Sequence, residues 1–368
     1  MNKFWRLLVF LLIIFSTTTY NTAISDSVIK TLTVDLPGYL SNPVINPMTK
    51  KMYISYGTLT TNDCGGACAQ QVKPLGLVAI DLQSGKIIRK FKSKKSGSLA
   101  INPNTNKIYL DTGSKKLLVL NGENGKLVST ITLTREIPMG ENPSKDEEAA
   151  QISGSFAIDL NKNLIYLTNY HSGTIAVING TENEVISNIK VSSRPSTLAL
   201  NPNTNKLYVG YGLKDEITII DTLSNSIVGT IDIYNGDSSI QPSSLAVDTS
   251  SNRLYVQTNY RDNYLFSVDL STENLVNKIE GLPPFINYIN VNSNTNKIYA
   301  SISLSEESEK TDKVLIILDT KNNQEIKSFL KGEIGTSREF SITIDSSTNL
   351  IYYFTDDKKI VVIDGNNN

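Results

Sequence analysis

The stretch NPNTNKIYL at residues 102–110 returns as NPNTNKLYV at residues 201–209. Five weaker copies bring the number to seven, and every copy has a tyrosine at the same position. A motif that recurs every few tens of residues indicates a repeat architecture, in which one supersecondary unit is used several times. The tyrosines are Tyr53, Tyr109, Tyr166, Tyr208, Tyr255, Tyr299 and Tyr352.

The motif has the chemistry of a turn that leads into a strand. An Asn or Asp opens it and can bond its own backbone, Pro presets φ, and a later Asn tolerates a left-handed backbone. The Ile-Tyr-Leu or Leu-Tyr-Val that follows is typical of a β-strand. A second apolar run follows each copy, and a third follows six of them. Each unit therefore predicts four antiparallel strands.

Seven such units predict an all-β fold, a seven-bladed β-propeller with four antiparallel strands per blade. The seventh unit ends at Asn368 with only three strands. Residues 27–36, SVIKTLTVDL, have the pattern of a fourth strand, and we expect this N-terminal strand to complete the last blade and close the ring. The alternative is an array of stacked hairpins that does not close.

Two adjoining stretches of the repeat resemble a known family. They are IYLTNYHSGTIAVINGTENEVISNIKV (165–191) and RPSTLALNPNTNKLYVGY (194–211), and they resemble the YVTN-type seven-bladed β-propeller repeat. The resemblance covers essentially the whole chain after the N-terminal segment. It implies the propeller architecture and a likeness to secreted, cell-surface or surface-layer-associated binding proteins. It implies no particular activity.

The N-terminus is typical of a secretory signal peptide. Lys3 and Arg6 precede an unbroken apolar run from Leu7 to Phe15, which is too short to span a bilayer as a helix. We expect a signal peptide at residues 1–23, cleaved after Ala23, and the propeller at residues 24–368. This predicts a secreted or envelope-associated protein that is not an integral membrane protein after cleavage. The alternative is an uncleaved N-terminal anchor.

Export affects the interpretation of the two cysteines. Cys64 and Cys68 lie in a glycine-rich stretch, and in an oxidising compartment they predict a disulfide that constrains a loop. A zinc site made by these thiolates and Asp63 is the alternative, but it would be incomplete because structural zinc takes four ligands. No metal site is predicted.

Composition argues against several functions. The 35 basic and 36 acidic residues nearly cancel, so no overall charge favours nucleic acid. His171 is the only histidine and no C-x-x-C-H occurs, so no haem is expected. Quinone-dependent propellers use repeated tryptophans, whereas Trp5 is alone. We therefore predict no cofactor.

The first strand of each blade is expected to line the central channel. The fourth position before each turn provides mostly hydroxyl groups, and we assign the second position, mostly small, to the channel as well. Neither set contains an acid or base that titrates near neutral pH, so we predict no catalysis. The alternative is a metal-dependent hydrolase or lactonase, for which the channel offers only Asn42 and Asn290. The two sets are Asn42, Ser98, Ser155, Thr197, Ser244, Tyr288 and Ser341, and Val44, Ala100, Ala157, Ala199, Ala246, Asn290 and Thr343.

The position seven residues before each turn is predicted to surround one mouth of the channel. Arginine can bond a carboxylate or phosphate in a forked manner, so these residues predict a shallow site for an anionic or carbohydrate-like ligand. The alternative is ordinary solvated charge on loops. A protein, a glycan or a small anion of the cell envelope is the expected partner. The candidate binding residues are Tyr39, Lys95, Arg194, Gln241, Phe285 and Arg338.

Two inserts and one asparagine complete the candidates. Residues 134–155 predict a lid or a partner-binding loop. The carboxylates of residues 303–313 match no known calcium loop, and a solvated charged run is the alternative to a calcium site. Asn179 in Asn-Gly-Thr is either a glycosylation acceptor or a turn residue.

Overall fold

The repeats fold as seven antiparallel sheets in the computed structural model, which confirms the predicted all-β propeller. We refer to the sheets as blades 1 to 7 and number the strands of each blade first to fourth from the axis outwards. One helical turn, α1 (Lys331–Ile334), follows blade 6. The structure describes residues 27–34, 39–40, 43–61, 70–92, 97–134, 154–233, 241–258, 264–283, 286–302, 312–336 and 342–366.

Blades 1 to 3 use strands that are consecutive in sequence, and blade 1 has an additional short strand, β2, paired with β4. Strand β1 (Ser27–Thr33) precedes them and belongs to blade 7. The bounds in blade 1 are β2 (Tyr39–Leu40), β3 (Val44–Asn46), β4 (Lys51–Thr61), β5 (Gln70–Asp81) and β6 (Ile87–Lys92). Those in blade 2 are β7 (Ser98–Asn102), β8 (Lys107–Asp111), β9 (Lys116–Asn121) and β10 (Leu127–Thr132), and those in blade 3 are β11 (Phe156–Asp159), β12 (Leu164–Asn169), β13 (Thr174–Asn179) and β14 (Glu184–Lys190).

Blades 4 to 7 repeat the same order. The bounds in blade 4 are β15 (Pro195–Asn201), β16 (Lys206–Tyr211), β17 (Glu216–Asp221) and β18 (Ser226–Asp232). Those in blade 5 are β19 (Pro242–Asp248), β20 (Arg253–Thr258), β21 (Leu265–Asp269) and β22 (Asn274–Ile279). Those in blade 6 are β23 (Ile286–Asn292), β24 (Lys297–Ile302), β25 (Lys313–Asp319) and β26 (Glu325–Leu330), and those in blade 7 are β27 (Ile342–Asp345), β28 (Leu350–Phe354) and β29 (Lys359–Asp364).

The N-terminal strand closes the ring, as predicted. Strand β1 pairs antiparallel with β29 and so becomes the fourth strand of blade 7. Each first strand neighbours the first strand of the next blade, and β27 of blade 7 neighbours β3 of blade 1. Lys30 of β1 also donates from Nζ to the carbonyl oxygens of Leu82 (2.9 Å) and Gln83 (3.0 Å) in blade 1. The sheets therefore form a closed ring, and the alternative of an unclosed array is wrong.

The turn between first and second strands has the predicted chemistry. In blade 2 the Oδ1 of Asn102 accepts the backbone N–H of Asn104 at 3.0 Å, and Asn106 has φ of 50°. The carbonyl of Asn106 then accepts the N–H of Gly122 in the turn between third and fourth strands, at 2.8 Å. Asparagine tolerates this left-handed backbone better than most residues. The left-handed positions of the seven turns are Lys50, Asn106, Asn163, Asn205, Asn252, Asn296 and Asn349.

Side chains of these turns also connect neighbouring blades. The Nδ2 of Asn102 donates to Oδ1 of Asn163 in the next blade at 2.7 Å. Where an Asp opens the turn, another donor reaches the next blade: Nζ of Lys162 bonds Oδ1 of Asn205 at 2.7 Å. All six left-handed asparagines receive such a bond. The other donor–acceptor pairs are Asn46–Asn106, Asn201–Asn252, Ser250–Asn296 and Asn292–Asn349.

The motif tyrosines lie between the blades. Each is buried, and each sits directly across from the second position before the turn, as Tyr109 sits opposite Ala100. Residues paired in this way share one face of the sheet. Because the tyrosine ring needs room on that face, small partners allow it to pack against the next blade. The pairs are Val44–Tyr53, Ala100–Tyr109, Ala157–Tyr166, Ala199–Tyr208, Ala246–Tyr255, Asn290–Tyr299 and Thr343–Tyr352.

This pairing corrects the assignment of the second-position residues to the channel. Ala100 packs in a cluster with Tyr109 and with Phe156 and Ile158 of blade 3, and Ala199 packs with Leu245 of blade 5. Both faces of a propeller sheet meet a neighbouring blade, so alternation along the first strand does not separate a packed face from an open one. Seven clusters of buried apolar residues lie at the seven junctions between blades in the described part of the chain.

Every fourth strand has a β-bulge near its start, where the pairing register shifts by one residue. Bulges at a sheet edge hinder pairing with a strand of another chain. The additional residues are all β-branched and apolar: Ile29, Ile88, Val128, Ile186, Val228, Val276 and Ile326. The six whose side chains are described have exposed fractions between 40% and 54%.

Among the described residues, no helix is long and apolar enough to cross a membrane. The predicted signal peptide at residues 1–23 lies outside the described residues.

The tyrosine hydroxyl groups allow a test of packing between blades. Burial raises the pKa of Tyr53 and of Tyr109 to about 12. Tyr53 donates from Oη to the carbonyl of Gly122 in blade 2 at 2.8 Å, whereas Oη of Tyr109 has no hydrogen-bond partner within the described part of the chain. We expect Tyr53→Phe to lower the free energy of unfolding by about 1 kcal/mol, because it removes a bond and leaves a buried carbonyl without this donor.

Tyr109→Phe is the matched control and should not lower the free energy of unfolding, because no hydrogen bond is lost. Urea unfolding followed by circular dichroism measures both variants. Equal losses for the two would contradict the assigned bond across blades.

Candidate functional site

The two faces of the ring differ in what they carry. The turns between first and second and between third and fourth strands lie on one face, which we call the turn face. The opposite face carries the loops between second and third strands and the connections between blades, and we call it the loop face. Turn-face asparagines are engaged in bonds within and between blades. Of the predicted channel-mouth residues, Arg194 and Gln241 belong to the loop face, where each precedes a first strand.

The structure describes three of the six predicted mouth residues. Arg194 is exposed and Gln241 is half-buried, and they immediately precede Pro195 and Pro242, the first residues of β15 and β19. Tyr39 pairs with Gly57 through the backbone of β2. Ser196 Oγ donates to the carbonyls of Gly210 (3.3 Å) and Pro242 (3.4 Å), which ties the entries of blades 4 and 5 together. Lys95, Phe285 and Arg338 lie outside the described residues.

Arg194 has a constrained backbone. Its φ is 61°, and among the described connections between blades it is the only non-glycine residue with a left-handed φ. Its N–H donates to the carbonyl of Tyr170 in blade 3 at 3.1 Å, and its carbonyl accepts the N–H of Gly212 in blade 4 at 3.1 Å. A left-handed backbone costs a residue with a Cβ about 1–2 kcal/mol. The loops of two blades thus hold Arg194 in a strained conformation at the surface.

Two ring side chains accompany Arg194. The rings of Tyr170 and His171 meet edge to face, with centroids 5.1 Å apart. Tyr170 is half-buried, and His171 is exposed in the loop between second and third strands. A Cβ on Gly212 would lie 3.5 Å from the Tyr170 hydroxyl, so this glycine lies close beside the ring. We call Tyr170, His171 and Arg194 the Arg194 patch.

The charge of Arg194 is not neutralised by any residue that the structure describes. No carboxylate of a described residue lies within ion-pair distance of its guanidinium. The nearby Lys214, in contrast, bonds Glu216 at 3.0 Å and Ser192 at 2.8 Å, and Lys190 donates to the carbonyl of Ser172 at 2.8 Å. An unpaired guanidinium can bond an incoming carboxylate or phosphate through two N–H groups.

Tyr170 was not among the sequence-predicted site residues. Its sequence signal is weak: it is one tyrosine directly before the only histidine, in a short loop between two apolar strands. Its proximity to Arg194 depends on a backbone bond across 24 residues of chain, since the carbonyl of residue 170 accepts the N–H of residue 194.

The predicted hydroxyl ring connects neighbouring first strands. Ser155 Oγ accepts the N–H of Leu198 at 3.3 Å, and Ser244 Oγ accepts the N–H of Ile289 at 3.5 Å. Burial raises the pKa of Tyr288, the one aromatic member. Asn42 and Ser341 lie outside the described residues. Among the described residues, no group of three or more His, Cys, Asp or Glu side chains is placed to hold a metal ion.

The remaining sequence candidates are described in part. Cys64 and Cys68 lie outside the described residues, as does most of the insert at residues 134–155. The end of that insert is anchored, because Gly154 donates its N–H to the buried Asp111 carboxylate at 2.6 Å. Asn179 caps its own turn by accepting the N–H of Thr181 at 2.8 Å, which accounts for an Asn at that position. Of residues 303–313, Asp312 and Lys313 are described, and Lys313 pairs with Glu325 at 2.8 Å.

No protein-family model matches the chain, and no curated protein sequence matches it. The function must therefore be argued from the fold and the surface of the ring.

The strain at Arg194 predicts an unusual response to substitution. Arg194→Gly should be more stable than Arg194→Ala by about 0.5–1 kcal/mol, because glycine adopts the left-handed backbone freely and alanine does not. At Lys126, an exposed residue with no left-handed φ, the order should reverse, because glycine has more conformational freedom to lose on folding. Urea unfolding measures all four variants. The same order at both positions would exclude backbone strain at Arg194.

Proposed function

We propose that the protein is a secreted or envelope-associated binding protein without catalytic activity, and that it binds an anionic, carbohydrate-like ligand at the Arg194 patch. The observation that carries the proposal is the exposed Arg194, whose guanidinium has no ion-pair partner among the described residues. Backbone bonds from blades 3 and 4 hold Arg194 beside Tyr170 and His171.

The chemistry of the patch fits an acidic sugar. A guanidinium bonds a carboxylate or sulfate in a forked manner. An aromatic ring provides a flat apolar surface with a polar hydroxyl at its edge. A ligand with one acidic group and one apolar ring face can use Arg194 and Tyr170 together. The strained backbone supports a binding role, because such strain concentrates at functional positions.

The division between the two faces supports a loop-face site. Turn-face asparagines bond each other between blades, so their polar groups serve the ring itself. Loops presented by a rigid scaffold are the common place for binding residues.

Export of the protein and its membership of the YVTN-type repeat family are further parts of the proposal. They rest on the predicted signal peptide at residues 1–23 and on the resemblance of residues 165–211 to the YVTN-type repeat, whose members resemble secreted and cell-surface proteins. A glycan of the cell envelope suits such a location.

A glycan array tests the ligand class. It should carry glycans with uronate, sialate or sulfate groups and their neutral counterparts. We expect acidic glycans to be retained in preference to neutral ones, and Arg194→Ala to weaken the best of them about tenfold or more, as the loss of a charge-assisted bond predicts. Lys321→Ala, an exposed cation on the turn face of blade 6, is the control and should bind normally. Retention of neutral glycans alone, or equal affinity of the two variants, would contradict the proposed site.

The absence of catalysis requires a separate assay. The protein should not turn over lactones or phosphate esters, either after chelation or with added divalent metal ions. Turnover that chelation abolishes and metal restores would overturn this part of the proposal in favour of the metal-dependent hydrolase.

A further inference from the structure

The outer strand of blade 1 is unusually basic. Between Asp81 and Asp111 the sequence contains no Asp or Glu, and it places six cations between Lys86 and Lys95. Three of them, Lys86, Arg89 and Lys90, are described and exposed, at or in β6. The whole chain has a net charge of only −1, so this is a local concentration of charge.

These cations border a groove at the junction where the ring closes. The groove runs between β1 of blade 7 and β6 of blade 1, and Thr33 forms its far side. Lys30 fixes β1 to blade 1 through the carbonyls of Leu82 and Gln83. A Cβ on Gly85 would lie 2.8 Å from the Leu32 side chain, so the turn approaches β1 closely at this point. The groove is therefore held open between two fixed walls. Its lining residues are Thr33 and residues 84–90.

The cations of the groove have no ion-pair partners in the described part of the chain. Among the described residues, no carboxylate lies within ion-pair distance of Lys86, Arg89 or Lys90. Two acidic residues are engaged by other groups. Glu123 bonds Lys51 at 2.5 Å, and Asp81 accepts bonds from the backbone N–H and hydroxyl of Ser84 at 2.7 and 2.6 Å. The hydrogen bond from Lys51 and, to a lesser degree, the charge of Arg89 lower the pKa of Glu123.

The need to protect a sheet edge does not explain the cations of β6. Lysines on edges discourage pairing with other chains, but within the described residues all seven outer strands have a free edge and a bulge. Strand β10 carries no charged residue, and Lys278 of β22 and Glu325 of β26 are paired within their own blades. If the cations of β6 served only to protect a sheet edge, the other six outer strands would need unpaired cations as well.

We propose that the groove between β1 and β6 binds a linear acidic polysaccharide through Lys86, Arg89 and Lys90. Lys86, Arg89 and Lys90 all line the groove within residues 86–90, so a chain that carries several carboxylates can meet more than one of these cations. Thr33 and Ser84 add hydroxyl groups that can bond sugar hydroxyls.

Other polyanions fit less well. The described lining contains no aromatic side chain on which a nucleobase could stack. The bulge at Ile88 interrupts the edge of β6, which disfavours an acidic peptide added as a further strand. A polyuronate requires neither stacking nor a regular edge.

Fluorescence anisotropy with a labelled oligogalacturonate tests the proposal on the full chain. The variant with Lys86→Gln, Arg89→Gln and Lys90→Gln should lose affinity at least tenfold. The matched control replaces Lys126, Lys321 and Lys331 with Gln, removes the same charge from exposed sites elsewhere, and should keep its affinity. Equal losses in the two triple variants would overturn the site.

Two further measurements complete the test. A variant with Lys86→Arg and Lys90→Arg keeps the charge and the fold and should keep its affinity; a tenfold loss in it would contradict recognition by charge. Tighter binding of single-stranded DNA or of an oligoglutamate of equal charge would overturn the ligand class.

Discussion

Closure of the ring by β1 is the constraint on which the structure depends. Each apolar cluster lies between two blades, so a blade has no separate core of its own. Seven blades then need seven junctions, and the junction between blades 7 and 1 is completed by a strand from the other end of the chain. Leu32 and Val34 enter the cluster at that junction beside Ile45 and Tyr352. In a repeat structure stability comes from such neighbour contacts, so the last junction affects every blade.

The same architecture separates structural roles from binding roles. On the turn face, the asparagines of the repeated motif bond their own turns, the neighbouring strands and the next blade. The repeated motif is therefore a device for joining blades. The loop face and the outer groove carry cations without partners among the described residues, Arg194 in one place and Lys86 and Lys90 in the other. Exposed charges that the fold does not use are the groups left for a ligand.

Much of the fold could be predicted from the sequence because its signals are local. The Asn that opens each turn, the later Asn with left-handed φ and the strand that follows all lie within nine residues, and Asn102, Asn106 and Tyr109 behave as their chemistry predicts. The bond between Asn102 and Asn163 spans 61 residues, and no local pattern indicates it. The second-position alanines were misassigned for a similar reason, since only the placement of the next blade shows what Ala199 packs against.

The candidate sites were less predictable than the fold. Counting back from each turn located Arg194 and Gln241 correctly before their first strands. Counting could not reveal that Tyr170 lies beside Arg194, because a loop of one blade meets the entry to the next only in the folded ring. The basic run from Lys86 is visible in the sequence, but the groove that it borders exists only because β1 returns to blade 1.

Native-state hydrogen exchange of residues 27–34 tests the central claim most directly. If β1 is an integral strand of blade 7, the amides that bond to β29 should exchange only when the whole ring unfolds, at the same free energy as the buried strand β28. Exchange of these amides as fast as in an unstructured terminus, while β28 stays protected, would contradict closure of the ring by the N-terminal strand.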